Sequence, residues 1–383
     1  MATSPPGKIR VMVVDDSAVI RGLFSTMLES DPDITVVASA NNGEMALNLL
    51  RRSGENKVEV DVVTLDIQMP VMDGLVALPE ILKLSPRAKV IMASTLTSEG
   101  ASETVRALAL GAADYIAKPS STRDREAMYQ FSQDLINKVR ALGGLSEHPA
   151  GAAGSTAPAP DPMPMPKIAT AARSQKTEEI VLRSSAGMKR PEAIAIGCST
   201  GGPQALMTLF KALKGKRFQV PVFITQHMPP QFTTMLAAQI AEVCGIPSGE
   251  GKEGEIAQPG HIYLAPGDYH MVVKRDGSRA MLHLNQNPPE NFCRPAVDPM
   301  LRSLAEFYGD RLLVLIMTGM GADGMAGSKA VVEQGGHVFA QDKATSVVWG
   351  MPGAVATAGL CCKLVPLAEI AGTLISLSQG QIA

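Results

Sequence analysis

Short apolar runs alternate with helix-like segments along the first 140 residues of the chain. Segments with the spacing of an amphipathic helix occupy residues 18–28, 44–50 and 99–109, and they separate the apolar runs. Five buried strands with helices between them predict a doubly wound parallel sheet, whose functional face lies at the carboxyl ends of the strands. The predicted strands are residues 9–14, 34–38, 60–65, 89–93 and 114–117.

A similar alternation begins again at about residue 191 and predicts a second α/β parallel sheet. Its strands are expected immediately before Gly197 and at 219–225, 312–317 and 337–340, and its helices at 205–213, 232–243, 325–333 and 367–376. Between residues 251 and 285 the pattern shortens into turn-punctuated strands, which favours hairpins, including the segments 261–268 and 270–277. The second half is therefore predicted to be a parallel-sheet domain with a hairpin region.

These patterns divide the chain into two domains and a connection. The first domain is predicted at residues 8–140 and the second at 190–383, and each is long enough to bury its own core. Residues 143–189 are rich in Ala, Pro and Gly and poor in apolar positions, so burial cannot offset their ordering entropy. They are predicted to form a flexible linker.

Composition excludes several classes of protein. The 35 Lys and Arg nearly balance the 37 Asp and Glu, which gives no basic footprint for nucleic acid. Neither an apolar run of transmembrane length nor a secretory signal is visible, so we expect a cytoplasmic protein without direct membrane insertion. The five cysteines are scattered without a C-x-x-C pair and indicate reduced thiols rather than zinc ligands.

Polar residues stand where the strands of the first domain end. Asp15 and Asp16 follow the first strand, and Asp66 follows the third. Carboxylates crowded into one crevice repel each other unless a cation lies between them, and their hard oxygens suit Mg²⁺. Ser94 closes the fourth strand and Lys118 the fifth, where the lysine offers the positive charge that a phosphoryl group requires.

In the second domain, the sequence I-A-I-G-C-S-T-G-G-P carries one serine, Ser199, in a glycine-rich turn between a strand and a helix. This is the context of a nucleophile elbow, in which the hydroxyl projects while backbone N–H groups converge beside it. A phosphate-binding loop or a purely structural turn is the alternative. Cys198, next to the serine, is expected to be a buried thiol rather than the nucleophile.

Two further polar residues follow neighbouring apolar strands of this domain. His227 follows the second strand and Asp323 follows the strand at 312–317, so all three side chains converge if these strands are adjacent. The histidine would take the serine proton and the aspartate would orient and stabilise the imidazolium, as in a hydrolase triad. His337 is the rival base, preceded by Asp310 or Asp323.

The strand-end constellation of the first domain resembles the receiver domain of two-component response regulators, over residues 8–140. The resemblance implies that Asp66 is the phosphoacceptor and that Tyr115 is the aromatic switch residue. The residues implied to hold Mg²⁺ are Asp15, Asp16 and Asp66, with the backbone carbonyl of Gln68. Those implied to contact the phosphoryl group are Ser94 and Lys118.

The motifs G-C-S-T-G-G-P, T-Q-H-M-P and T-G-M-G-A-D-G, behind a receiver, resemble the chemotaxis protein-glutamate methylesterases. The resemblance spans nearly the whole chain and assigns the family's triad to Ser199, His227 and Asp323, and its oxyanion-stabilising backbone to Met320. Thr200 and the segment 295–298 also agree with the family pattern. Gln68 and the long linker depart from it.

This second resemblance implies the activity, partners and regulation of the protein. The substrates would be methyl-accepting chemoreceptors, whose methylglutamate esters would be hydrolysed with release of methanol and whose glutamines would be deamidated. A chemotaxis histidine kinase would supply the phosphoryl group, and the receiver would cover the esterase cleft until it is phosphorylated. A monomer that needs Mg²⁺ for receiver phosphorylation, and no cofactor for ester hydrolysis, is expected.

Two other classes of function are compatible with a receiver followed by a second domain. A nucleotide-binding module would use residues 197–202 as a phosphate loop, but the segment lacks G-x-G-x-x-G spacing and no acidic residue follows the second strand to hold a ribose. A DNA-binding regulator is disfavoured by the near-neutral charge and the sheet-like second half.

Overall fold

The computed structural model describes residues 7–52, 58–95, 97–119, 124–144 and 180–381, which form two α/β domains. Most of the predicted linker, residues 145–179, lies outside the described residues. Within the described ranges, no helix is both long enough and apolar enough to cross a bilayer.

The first domain is a five-stranded parallel sheet with helices on both faces, as predicted. The strand order is β2-β1-β3-β4-β5. Its strands are β1 Ile9–Val14, β2 Ile34–Ala40, β3 Val62–Asp66, β4 Lys89–Ser94 and β5 Asp114–Ala117. Its helices are α1 Ala18–Glu29, α2 Gly43–Leu50, α3 Gly74–Leu84, α4 Ser98–Leu110 and α5 Arg125–Leu142.

Local sequence explains where these helices begin. Before four of the helices, a side-chain oxygen accepts a hydrogen bond from a backbone N–H in the first turn. The residues that supply it are Asn42, Asp73, Thr97 and Asp124. Such caps satisfy donors that the helix itself leaves unpaired, each worth about 1 kcal/mol. The helices therefore start at fixed points after the strand ends, which keeps the polar strand-end residues in one crevice.

The second domain is built on a seven-stranded parallel sheet of order β14-β13-β12-β6-β7-β9-β8. Its strands are β6 Ala193–Cys198, β7 Val222–Gln226, β8 Ser248–Glu250, β9 Ile262–Leu264, β12 Leu312–Ile316, β13 His337–Gln341 and β14 Lys363–Val365. The helices are α6 Gly202–Ala212, α7 Phe232–Cys244, α8 Val297–Tyr308, α9 Met325–Glu333, α10 Met351–Thr357 and α11 Leu367–Ser378.

The hairpin region is real but shorter than predicted. Strands β10 (His270–Asp276) and β11 (Arg279–Asn285) pair in antiparallel fashion around the expected turn. The prediction of a hairpin strand at 261–268 was wrong, because Ile262–Leu264 joins the main sheet in parallel between β7 and β8. Three residues are too few to display a period, so tertiary pairing alone decides their role.

The two domains share one buried interface. Helix α4 packs against α6 and α7. The ring of Tyr115 on β5 stacks on that of Phe232, the first residue of α7, with centroids 4.8 Å apart and planes 18° apart. Val348 of the second domain is buried in the same apolar cluster as residues of α5, and Met320 and Val347 pack against that cluster. The α4–β5–α5 side of the first domain thus lies against the second.

Residues 180–189, at the C-terminal end of the predicted linker, lie on the second domain. Ile180 packs against that domain's core, and the N–H of Arg183 donates to the carbonyl of Cys361 at 2.8 Å. Lys189 forms an ion pair with Asp310 at 2.5 Å. This stretch enters the domain at the amino end of β14, away from the carboxyl ends of the strands.

Helices α8 and α9 approach each other closely at a glycine. A Cβ on Gly327 of α9 would lie 2.7 Å from the Cβ of Leu301 and 3.1 Å from backbone atoms of Asp298, both on α8. The N–H of Gly327 also donates to the Asp298 carboxylate at 2.6 Å. Contacts this close leave no room for a methyl group.

Replacing Gly327 by Ala should destabilise the second domain by about 1–3 kcal/mol, because α8 and α9 must separate. Gly372 is the matched control, since it lies exposed in helix α11 with no atom near the position of its Cβ. Gly372→Ala should stabilise by about 0.5–1 kcal/mol through the unfolded chain. Urea unfolding of both variants measures the difference; equal effects would contradict the packing argument.

Candidate active site

Ser199 stands at the first position beyond β6, in the turn that starts helix α6. Its N–H donates to the carbonyl of Thr318 at 3.0 Å, which fastens the turn to the loop after β12. Gly201 has φ 75°, a left-handed conformation that suits glycine, and helix α6 begins at the next residue. The predicted strand, sharp turn and helix are therefore present around this serine.

Gln226, the last residue of β7, holds the serine and histidine backbones together. Its side-chain amide donates to the carbonyl oxygens of Ser199 and His227, at 3.1 and 3.3 Å. A Cβ on Gly202 would lie 2.0 Å from its Oε1, so a larger residue there would displace this side chain. Because Cys198 pairs with Gln226 in the sheet, Ser199 and His227 leave adjacent strands side by side.

His227 and Asp323 form a buried hydrogen-bonded pair. The imidazole Nε2 lies 2.7 Å from Oδ2 of Asp323, and the aspartate is 2% exposed. The backbone N–H groups of Val297 and Asp298 donate to the same carboxylate, at 2.6 and 3.0 Å. Burial alone would raise the pKa of Asp323, but these hydrogen bonds and the one with His227 hold it below its usual value.

The other imidazole nitrogen faces a thiol. Cys293 Sγ lies 3.3 Å from Nδ1 of His227, and no hydrogen bond joins His227 to the Ser199 hydroxyl in the described structure. Burial by itself lowers the pKa of His227, but the contacts with Asp323 and Cys293 raise it to about 10. Both contacts favour the protonated form of the imidazole, and its Nδ1 faces the thiol rather than the serine hydroxyl.

Backbone donors lie next to Ser199. Among the described residues, the N–H groups of Thr200 and Met320 have no hydrogen-bond partner. The loop after β12 approaches Ser199 closely, since a Cβ on Gly319 would lie 2.9 Å from the serine Cβ. Free N–H groups beside a nucleophile are what an oxyanion site requires.

The rival residues lie elsewhere. His337 pairs with Leu313 at the amino ends of β13 and β12, whereas Ser199 follows the carboxyl end of β6, and burial lowers the pKa of this histidine. Cys198 is fully buried, and burial raises the pKa of its thiol well above the usual value. Among the described residues, no hydrogen bond joins the side chain of His337 or Cys198 to His227 or Asp323.

In the first domain, the strand-end residues form a compact charged cluster. Ligand oxygens of Asp15, Asp16 and Asp66 lie within 4.8 Å of one another, a hard-oxygen set that fits Mg²⁺. The ammonium of Lys118 lies 2.7 Å from both Asp15 and Asp66. Burial raises the pKa of Asp66, while the lysine opposes that rise. Residues 16 and 68 line a cavity of about 350 Å³ beside the cluster.

The remaining predicted residues of the first domain differ in where they lie relative to this cluster. The Ser94 hydroxyl is buried at the end of β4 and donates to the carbonyl of Gly100 at 3.0 Å. Tyr115 lies in the interface with the second domain rather than in the crevice. The side-chain amide of Gln68 donates to Glu103 at 3.2 Å, and its backbone carbonyl has no hydrogen-bond partner among the described residues.

Comparison with known proteins decides the family. Residues 194–374 match the model of the CheB methylesterase family, and residues 11–130 match that of the response regulator receiver domain. The sequence is 51% identical over 372 residues to protein-glutamate methylesterase/protein-glutamine glutaminase 1 of Rhodospirillum rubrum, an alignment that covers 96% of this chain and 95% of that protein. The chain belongs to the CheB methylesterase family. It is accordingly an ester hydrolase with a receiver domain.

Similar proteins also include a second enzyme of that name and a crystal structure of a catalytic domain. The Paramagnetospirillum magneticum protein-glutamate methylesterase/protein-glutamine glutaminase 1 is 52% identical, with 97% of this chain and 96% of that protein covered. The crystal structure of the Thermotoga maritima CheB methylesterase catalytic domain is 38% identical, with a TM-score of 0.47, and covers 49% of this chain and 98% of that one.

Sequence reasoning missed two residues of this CheB-family site. Asn291 donates from Nδ2 to Asp323 Oδ1 and to Asp298 Oδ2, both at 3.0 Å, and Cys293 contacts His227. Both precede the segment 295–298, which the family pattern had singled out. Their closeness in sequence to that segment was the available signal. The contacts themselves depend on a turn that could not be predicted from the sequence.

Replacing Cys293 by Ala should move the acidic limb of the pH–rate profile to lower pH. The contact with Cys293 raises the pKa of His227, and only the neutral imidazole can accept a proton, so a lower pKa extends activity downward in pH. Initial rates of ester hydrolysis between about pH 6 and pH 9.5 measure the shift. Cys293→Ser is the isosteric control and should shift less; a profile unchanged in Cys293→Ala would refute this role of the thiol.

Proposed function

We propose that this protein is a phosphorylation-controlled protein-glutamate methylesterase that also deamidates glutamines of the same substrates. The buried pair formed by His227 and Asp323, beside the Ser199 turn, is the observation that carries the proposal. The substrates are methyl-accepting chemoreceptors, and the enzyme acts in the cytoplasm as a monomer in adaptation of chemotaxis. Residues 8–140 are its receiver, 143–189 its linker and 190–383 its catalytic domain.

Acylation begins at Ser199. Neutral His227 removes the hydroxyl proton through Nδ1, because Nε2 is held by Asp323, and the serine oxygen attacks the γ-ester carbonyl. This step requires Nδ1 to turn from Cys293 towards the serine. The oxyanion is stabilised by the N–H groups of Thr200 and Met320. The imidazolium then protonates the departing methoxide, which leaves as methanol.

Deacylation repeats the sequence with water. His227 removes a proton from water, the hydroxide attacks the glutamyl-serine ester, and the imidazolium returns the proton to the serine oxygen. The products are the glutamate side chain and the free enzyme. A glutamine substrate follows the same course, with ammonia as the leaving group, so one site accounts for both proposed activities.

The receiver takes a phosphoryl group on Asp66 from a chemotaxis histidine kinase. Asp15, Asp16 and Asp66 would hold Mg²⁺ together with the Gln68 carbonyl, and the ion would neutralise phosphoryl charge during transfer. Lys118 already contacts two of these carboxylates, and its ammonium group can pair with the phosphoryl oxygens after transfer. Ser94, at the end of the adjacent strand, can donate to the same group once its hydroxyl turns from Gly100.

Phosphorylation would act on the catalytic domain through the interface. Tyr115 and Phe232 are stacked, and Met320 packs against the shared cluster next to the predicted oxyanion site. A receiver docked in this position restricts access to Ser199, and separation of the two domains would open the cleft. In this proposal the ester chemistry uses protein groups and water, and no cofactor takes part.

Two variants test both halves of the proposal in one assay. Ser199→Ala should lower methanol release from methylated chemoreceptor membranes by at least about a thousandfold, with or without acetyl phosphate and Mg²⁺, because no nucleophile remains. Asp66→Ala should retain basal release and lose stimulation. Retained turnover in Ser199→Ala would sink the triad, and stimulation that persists in Asp66→Ala would sink the assignment of the phosphoacceptor.

The interface generates a separate prediction. Tyr115→Ala should raise the unphosphorylated rate about tenfold, because loss of the stacked pair weakens docking by roughly 1.4 kcal/mol. Stimulation by acetyl phosphate should shrink accordingly. Tyr129→Ala removes a tyrosine that is 59% exposed on α5 and serves as the control. A basal rate that stays at the wild-type value in Tyr115→Ala would show that this contact does not restrain the enzyme.

A further inference from the structure

A tight turn at residues 290–293 carries both of the unpredicted contacts with the active site. Glu290 and Cys293 exchange two backbone hydrogen bonds, at 2.9 and 3.1 Å. The central residues Asn291 and Phe292 have φ values of 51° and 62°, the positive angles that a type I′ turn requires. Glycine or asparagine is expected at such positions, whereas phenylalanine is strained there.

The geometry of the turn locates Phe292 at the edge of the catalytic site. Its preceding residue, Asn291, donates to the triad aspartate at 3.0 Å, and its following residue, Cys293, lies 3.3 Å from the triad histidine. The side chains on either side of Phe292 therefore contact the aspartate and the histidine, and the Phe292 side chain turns outward. The ring therefore lies on the outer side of the residues that hold the aspartate and the histidine.

The Phe292 ring contributes no buried apolar surface to the fold. Phe292 is 103% exposed, more than any other large apolar residue in the described structure. Burying a phenylalanine side chain stabilises a protein by about 1.5–3 kcal/mol, and the exposed ring of Phe292 lacks this stabilisation. Its backbone conformation is also strained. Strain and full exposure at the same aromatic residue indicate a role in contact with another molecule.

The turn presents the ring from a fixed position. Arg302 pairs with Glu290 at 2.6 Å, and Arg294 pairs with Asp268 at 2.6 Å. Buried His270 contacts the carbonyl of Pro288 and the N–H of Ala296, both at 3.2 Å, so the segment is anchored at both ends. The backbone that carries the ring is held in this way, so little backbone freedom is lost on binding, which favours affinity.

The receiver leaves this ring uncovered. Its contacts with the catalytic domain involve Phe232, Met320, Val347 and Val348, and Phe292 remains fully exposed while those contacts are made. The ring is thus available whether or not the cleft is open. An apolar ring can gain binding energy only by covering other apolar surface.

We propose that Phe292 is a specificity-determining residue, which packs on apolar side chains of the protein segment that carries the esterified glutamate. This inference rests on the proposed function. The methyl ester itself is small and uncharged, so most of the affinity for a protein substrate must come from contacts outside the reacting group. Phe292 would supply such a contact beside the triad without taking part in proton transfer.

Methanol release from methylated chemoreceptor membranes over a range of substrate concentrations tests the proposal. Phe292→Ala should raise KM about tenfold and leave kcat within about twofold, in the same ratio with and without acetyl phosphate and Mg²⁺. Phe292→Leu should fall between this variant and the wild type. Val181→Ala is the control, since it removes an apolar side chain that is 70% exposed near the amino end of β14, and it should change neither constant.

Phe292→Gly separates recognition from folding. Glycine accepts the positive φ without strain, so this variant should unfold at a denaturant concentration no lower than the wild type while showing the same rise in KM. An unchanged KM, or a fall in kcat alone, would overturn the proposal; the latter would mean that the turn acts only through Asn291 and Cys293. Absence of methanol release from folded wild-type protein would instead remove the proposed function itself.

Discussion

The proposed catalytic site depends on the buried hydrogen bond between His227 and Asp323. An ionised carboxylate that is 2% exposed is costly unless its charge is compensated, and here the imidazole and the backbone N–H groups of Val297 and Asp298 compensate it. Those N–H groups belong to the start of helix α8, so the carboxylate also lies at the positive end of a helix. The position of α8 is therefore part of the chemistry, although none of its side chains reacts.

Much of the site could be predicted from the sequence, because strand pairing fixes where the residues at the strand ends lie. The carboxyl ends of adjacent parallel strands meet, so residues immediately after β6 and β7 must be neighbours once those strands pair. The same reasoning applies to Asp15 and Asp66 in the receiver. Strand pairing is encoded in long apolar runs, and polar residues that end such runs are visible without any structure. The five-stranded receiver sheet was predictable for this reason.

What escaped prediction has a different physical origin. The strand Ile262–Leu264 is too short to show a pattern, and only its neighbours β7 and β8 make it a strand of the main sheet. The contacts of Asn291 and Cys293 arise from a turn whose central residues, Asn and Phe, include no glycine to signal positive φ angles. The stack of Tyr115 on Phe232 depends on how two folded domains dock, which local sequence does not specify.

The turn at residues 290–293 also divides the site into a part that cannot vary and a part that can. Asn291 and Cys293 are constrained by the aspartate and the histidine that they contact, whereas the side chain between them touches neither. A substitution at position 292 alters the outer surface of the site and removes no contact of the proposed proton-transfer groups. If position 292 contacts the substrate as proposed, related enzymes can differ in target preference by a single replacement there while the proposed reacting groups stay the same.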